Sequence, residues 1–345
     1  MDMTNLEKDL RYYLQELYAI DSPSGFTGKM VERLSELTKE LGCEGRRTRR
    51  GNFMIRVPGK DQEKVLGLAA HVDTLGLMVR SITTKGEIMF TTIGGPVLPS
   101  LDGEYCKIYT RSGKVYTGTV LSLSPAKHVF PDANTRVRDI DNMYVRLDEL
   151  VKTREDVVNL GIAPGDFICY DPKFEITPSG FIKSRFLDDK ASAACFFAIL
   201  KGMKEQGLVP AHTCDFIFTV YEEVGSGGAT LPGDLTELLI VDMGCVGLDL
   251  SCGEDQVSIC PKDSAGPFDY EMTSRLVALA KEQGIDYALD VYPMYSSDAA
   301  VAWRAGMDLP AGLIGTGVQA SHGMERTHMK GLTGTAKLIA AYLGL

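Results

Sequence analysis

No CxxC pair occurs among the eight cysteines, and several of them, such as Cys195 and Cys214, lie inside apolar runs. They read as buried reduced thiols rather than as a disulfide framework. A basic surplus is also missing: 36 Lys and Arg stand against 46 Asp and Glu, for a formal net charge of −10. Nucleic acid and anionic membrane surfaces need a basic footprint, so neither is expected as a main partner. The longest nearly apolar stretch is residues 191–200, far short of the roughly 18 residues of a membrane span. No internal repeat is visible. The 36 glycines fall in turns without a period, which excludes collagen-like and low-complexity readings. The first twenty residues read as an acidic amphipathic helix, not as a basic stub before an apolar block, so the cytoplasm is the expected location.

What is present is an ordinary globular composition, 44% apolar and 24% charged over 345 residues, enough for a large core and more than one average domain. Leu6, Leu10, Leu14 and Leu17 fall at helical spacing and stop at the SPSG turn. Met30, Val31, Leu34, Leu37 and Leu41 form a second stripe with Gly42 just past it. Residues 52–57 read as a strand, and the continuous apolar run 65–70 reads as a strand covered on both faces. From 79 to 180, strands alternate with glycine-bearing turns, with one weak helix near 154–160. Beyond 188 the alternation of helix and strand returns: helices at 188–206, 268–283, 299–304 and 331–345, strands at 214–221, 236–241, 288–292 and 311–314. The expectation is an α/β domain of residues 1–78 and 181–345, with a mixed, mostly parallel sheet flanked by helices. Residues 79–180 form an inserted β-rich lid or dimerisation domain.

Four apolar strands end in acidic or imidazole side chains. The run 65–70 leads into His71 and Asp73, the strand at 214–221 into Glu222-Glu223, the next into Asp242, and the last, shortly after, into His322. Ligands in open α/β sheets bind beyond the carboxyl ends of the strands, so these groups can converge there. Asp188-Asp189 sits at a helix start, where anions are tolerated. Two histidines and several carboxylates without a nearby cysteine suit zinc, cobalt or manganese. Adjacent acids resist joint ionisation unless a cation holds them, and the acids exceed what one ion needs. Two ions about 3.5–4 Å apart, sharing a carboxylate, would use them all.

The segments AAHVDTLGLMV, FLDDKASA, TVYEEVGSGGA, LLIVDMG, MYSSDAA and SHGMER, in that order, resemble the tetrahedral aminopeptidases. These are the glutamyl and deblocking aminopeptidases, family forty-two of the metallopeptidases in clan MH. The insertion is similar too, with LDGEYCKIYT and LGIAPGDF in the place of that family's lid. The resemblance covers nearly the whole chain and implies a phosphorylase/hydrolase-like zinc peptidase fold. It implies that His71 and Asp242 hold one metal, Glu223 and His322 the other, and that Asp188 bridges them. Glu222 would be the general base, and Asp73 would orient His71. It also implies a homo-oligomer, a hollow tetrahedral dodecamer, that restricts access to short peptides. The chain departs from the family pattern at Lys190, usually Arg, at Gly323, usually Ser, and at Tyr295-Ser296-Ser297-Asp298, usually Gly-Gly-Thr-Asp.

Each residue also has a plainer reading. His71 alone reads as a solvated strand end, Asp188 and Asp189 as helix-start acids, and Asp242 as a common strand terminator. The ordered set outweighs these, although Asp189 stays open. Asp298 reads equally as a substrate-amine ligand or as a helix N-cap. His128 reads as structural or as a contact to a neighbouring subunit, and His212 as a loop residue. His328 competes with His322 for one ligand role. The expected function is a dinuclear metal-dependent aminopeptidase acting on short peptides. The rivals are a related deacylase or carboxypeptidase, an endoglucanase-labelled relative, and a scaffold with a structural metal site. Glycosidases normally flank a sugar with two carboxylates and use no metal cage, which counts against the endoglucanase.

Overall fold

Continuous apolar strands need cover on both sides, and helices flanking a ten-stranded sheet give it. The computed structural model describes residues 1–345, which divide into two compact units. The first comprises Met1–Asp73 and Phe174–Leu345, the second Thr74–Lys173. The divisions fall at 73/74 and 173/174 against the expected 78/79 and 180/181. The strand Gly76–Ile82 already belongs to the second unit's barrel, and Phe174 stacks on Tyr18 of the first unit at 4.5 Å.

In the first unit, helices α1 (Leu6–Tyr18) and α2 (Gly28–Glu40) precede strands β1 (Phe53–Val57) and β2 (Asp61–His71). After the second unit come α3 (Leu187–Gln206), β3 (His212–Thr219), β4 (Glu237–Val241), β5 (Val257–Asp263) and α4 (Tyr270–Glu282). The chain closes with β6 (Tyr287–Val291), α5 (Asp298–Arg304), β7 (Ala311–Val318) and α6 (Met329–Tyr342). The spatial order β1-β3-β2-β4-β7-β5 is parallel from β3 to β7, with antiparallel partners on both flanks. In register, Ala69 faces Ile217 on one side and Ile240 on the other, and Ile240 faces Leu313. Four parallel strands therefore end at one edge of the sheet, and the site lies there.

The α1 stripe Leu10, Leu14 and Leu17 is fully buried, and α1 packs on α3. Each such leucine is worth about 2 kcal/mol over an exposed one. Strand β5 escaped the periodicity reading because Pro261 and Lys262 interrupt its apolar run. Strand β7 runs four residues past the expected end, to Val318.

The second unit closes six antiparallel strands into a barrel: Gly76–Ile82, Ile88–Ile93, Met143–Leu147, Val115–Ser122, Tyr105–Tyr109 and Phe167–Tyr170 in spatial order. Its interior is filled by Leu77, Val79, Phe90, Ile108, Val120, Val145 and Ile168. Closure leaves no free sheet edge. The short helix Arg154–Asn159 begins with a reciprocal cap between Thr153 and Asp156. No helix of the chain is long and apolar enough to cross a membrane.

Candidate active site

Four loops at the carboxyl edge of the sheet carry the chemistry. His71 is the last residue of β2 and is buried. Glu222 and Glu223 form a single 3-10 turn just after β3. Asp242 follows β4 directly. Beside it, a side chain at Gly315 of β7 would lie 1.6 Å from the Asp242 carbonyl oxygen, so only glycine fits there. His322 lies in the turn after β7 in a left-handed conformation, φ +63°.

Asp188 and Asp189 are not in a first helical turn as expected. Their backbone angles are non-helical, the peptide between them is cis, and the regular helix starts after them. Both side chains reach His71, Asp188 at its Nε2 and Asp189 at its backbone N–H, instead of lying along the helix end.

Asp188 is the hub. Its Oδ1 lies 2.8 Å from His71 Nε2, and its Oδ2 lies 3.5 Å from His322 Nε2. His322 Nε2 is 3.6 Å from Glu223, and His71 Nε2 is 3.8 Å from Glu222. Ligand atoms of His71, Asp188 and Glu223 lie within 4.8 Å of one another, as do those of His71, Asp189 and Asp242. The structure thus brings together His71, Asp188, Glu223, Asp242 and His322, with Glu222 and Asp189 among them. His328 is elsewhere: its ring nitrogens bond Ser179 O and the Lys330 N–H. His212 pairs with Asp61.

Asp73 reaches the site differently from the sequence expectation. His71 Nδ1 lies 2.9 Å from the Asp73 backbone oxygen, while the Asp73 carboxylate is 3.7 Å from that nitrogen. The carboxylate instead accepts the Ser24 hydroxyl at 2.5 Å and the backbone N–H groups of Glu222 and Glu223 at 3.1 and 3.4 Å. It pins the glutamate turn.

Asp298 is the first residue of α5, so Ser297 holds the cap position. Its carboxylate accepts the Thr219 hydroxyl and the Gly228 N–H, both at 2.6 Å. Asn52 holds the same loop from the other side, donating to Gly227 O and accepting from Val220 N. Glu325 links two site loops, taking the His322 N–H at 2.9 Å and the Asp188 N–H at 3.1 Å. Sequence reasoning missed Ser24, Asn52 and Thr219 as supports. Each is a lone polar residue in a loop or strand with no spacing signal. Glu325 was visible only as the acid of SHGMER.

Burial and mutual repulsion dominate the electrostatics. Burial, then Asp242, Asp298 and Glu223, push the Glu222 carboxyl well above the usual range, against the pull of His71. Burial and Asp188 do the same to Glu223. Burial and Asp188 raise Asp242 to about 7 and Glu325 to about 8. Burial raises Asp298 to about 6 despite the Thr219 hydroxyl. For Asp188 burial acts upward too, but His322 and His71 together hold it below the ordinary value. Burial pulls His71 down, yet Asp188, Glu222 and Asp242 carry it well above its usual value. Two imidazoles cannot neutralise this many acids. Asp189 Oδ1 and Glu223 Oε1 are buried without any hydrogen-bond partner. Orphaned carboxylate oxygens in a His–carboxylate cluster are what a divalent cation would satisfy, so the donor set fits a metal.

The mostly parallel α/β sheet thus carries a candidate metal-binding cluster beyond its strand ends. The chain belongs to the M42 glutamyl aminopeptidase family, whose sequence model matches residues 51–338. YhfE of Bacillus subtilis (strain 168), named provisionally as an aminopeptidase, is 44% identical over 99% of both chains. The TET aminopeptidase of Thaumarchaeota archaeon SCGC AB-539-E09 has the same fold, with a TM-score of 0.87 over 99% of this chain and 97% of that one, at 21% identity. The TET1 peptidase of Pyrococcus horikoshii, which can assemble into a tetrahedron or a large octahedral shell, gives 0.84 over 97% and 99%, also at 21% identity.

Proposed function

We propose that the chain removes N-terminal residues from short peptides at a centre of two divalent cations, with zinc favoured over cobalt and manganese. The observation that carries this is Asp188, which turns one oxygen to each of the two histidines, at 2.8 and 3.5 Å. A carboxylate so disposed suits a bridge. His71 with Asp242 would hold one cation and Glu223 with His322 the other. When bound, the cations supply polarisation of the scissile carbonyl and a more acidic attacking water.

Glu222 serves as the base. It takes the proton of the attacking water and returns it to the leaving amine. Burial among other acids raises its proton affinity above that of an ordinary carboxyl, which favours uptake of the water's proton. Asp73 keeps the glutamate turn in place through the two backbone N–H groups. The expected contact of Asp298 with the substrate amine would use lone pairs left by Thr219 and Gly228.

A closed homo-oligomer in the cytoplasm, a tetrahedral dodecamer as the family resemblance implies, fits a preference for short peptides. The P. horikoshii relative's assembly supports this reading. Sedimentation of the purified chain tests it.

The function is tested with aminoacyl-anilides and with matched free and N-acetylated peptides. Cleavage should require the free amine and stop on chelation. Cleavage restricted to acylated substrates would move the chain to the deacylases.

A further inference from the structure

The Tyr295 hydroxyl is buried and makes no hydrogen bond of ordinary geometry within the protein. Its charged neighbours are Asp242, Asp188 and Glu222, the bridging acid and base of the proposed reaction among them. The rest of the residue is held firmly. The ring packs edge-on against Tyr292 at 5.2 Å, and Tyr292 is itself fixed by a 2.5 Å hydrogen bond to Ser258. The Tyr295 carbonyl oxygen accepts both the N–H and the hydroxyl of Ser264.

Phenylalanine would keep all of these contacts and spare the chain a buried, unsatisfied hydroxyl. Within the protein the hydroxyl has only the Asp242 carboxylate to turn to, a hydrogen-bonding neighbour although not at ordinary geometry. The Asp242 oxygens are the ones a cation would engage. An acceptor that arrives with substrate fits better.

We propose that Tyr295 is a further catalytic residue, donating its hydroxyl hydrogen to the oxyanion that forms when water adds to the scissile carbonyl. This rests on the aminopeptidase reading above. No bond to Tyr295 forms or breaks. The carbonyl electron pair moves onto oxygen as water adds and returns when the amine leaves, and the phenol keeps its proton throughout. The assignment falls on one of the positions where the chain departs from the usual Gly-Gly-Thr-Asp pattern. The donor is therefore particular to chains that carry tyrosine there.

The test is Tyr295→Phe in the metal-loaded enzyme. Removing one oxyanion donor typically lowers kcat about 10²–10³-fold, and KM for an aminoacyl-anilide should change little. Metal content should equal that of the wild type. Affinity for a tetrahedral aminoalkyl phosphonate or boronate should fall by a similar factor, while affinity for the free amino acid product stays the same. An unchanged kcat with unchanged analogue binding overturns the proposal. Reduced metal content, with activity restored by excess metal, also overturns it and makes Tyr295 a support for Asp242. The wild type run in parallel separates the two ideas. An inactive wild type counts against the peptidase reading, and an active wild type with an equally active Phe variant counts against Tyr295 alone.

Discussion

Glu222 and Glu223 are neighbours in one turn, yet their surroundings differ. Glu223 has an orphaned oxygen and a histidine at 3.6 Å, the surroundings of a ligand. Glu222 stands 3.8 Å from His71. Glu222→Gln removes the proton acceptor but little volume. Turnover of an aminoacyl-anilide should fall about 10²–10⁴-fold with metal content retained. Near-normal turnover would take Glu222 out of the mechanism. Several candidate residues, His71, Glu222, Glu223 and Asp242 among them, were legible because they stand at or just after an apolar run, where a strand end can be read from hydrophobicity alone. Asp73 was singled out in the sequence, but its contact was not. Sequence spacing favours the imidazole two residues back, whereas the fold turns the carboxylate toward a loop some 150 positions away. Ser24 and Asn52 were invisible for the same reason: their partners are set by tertiary packing.

The loop after β3 shows how an element can be tuned for a site. Asp298, Asn52 and Asp73 hold its backbone from three directions. A side chain at Gly228 would lie 2.2 Å from the Asp298 carbonyl oxygen, and one at Gly227 2.7 Å from both Asp298 carboxylate oxygens. Gly228→Ala should therefore push the loop out. A misplacement near 1 Å typically lowers kcat about 100-fold. Circular dichroism should stay native while steady-state kinetics records the loss. An alanine variant with full kcat would show that the loop does not need this close approach. At this scale the helices and core strands were legible from their 3.6-residue and continuous apolar patterns. Strand β5 was not, since Pro261 breaks its run. Nor was the non-helical entry into α3 at Asp188 and Asp189, because no side-chain pattern marks it.

For the molecule as a whole, the acid cluster opposes folding when no cation is bound. Asp298, Asp242 and Glu325 are raised to about 6, 7 and 8 from ordinary values near 4. A raised carboxyl contributes most stability below its unfolded value and loses it as pH climbs through its folded one. The metal-free protein should therefore lose thermal stability steadily from about pH 4 to pH 8. Added zinc should raise Tm most at the alkaline end, because cation binding needs the ionised acids. Differential scanning calorimetry across that range checks both trends, and a metal-free Tm that rises with pH would contradict them. The most direct test of the central claim is the metal stoichiometry of stripped and reloaded protein, measured beside Asp188→Ala. Two cations per chain are expected in the wild type, and both should be lost in the variant. One cation or none in the wild type, or an undiminished pair in Asp188→Ala, would contradict it.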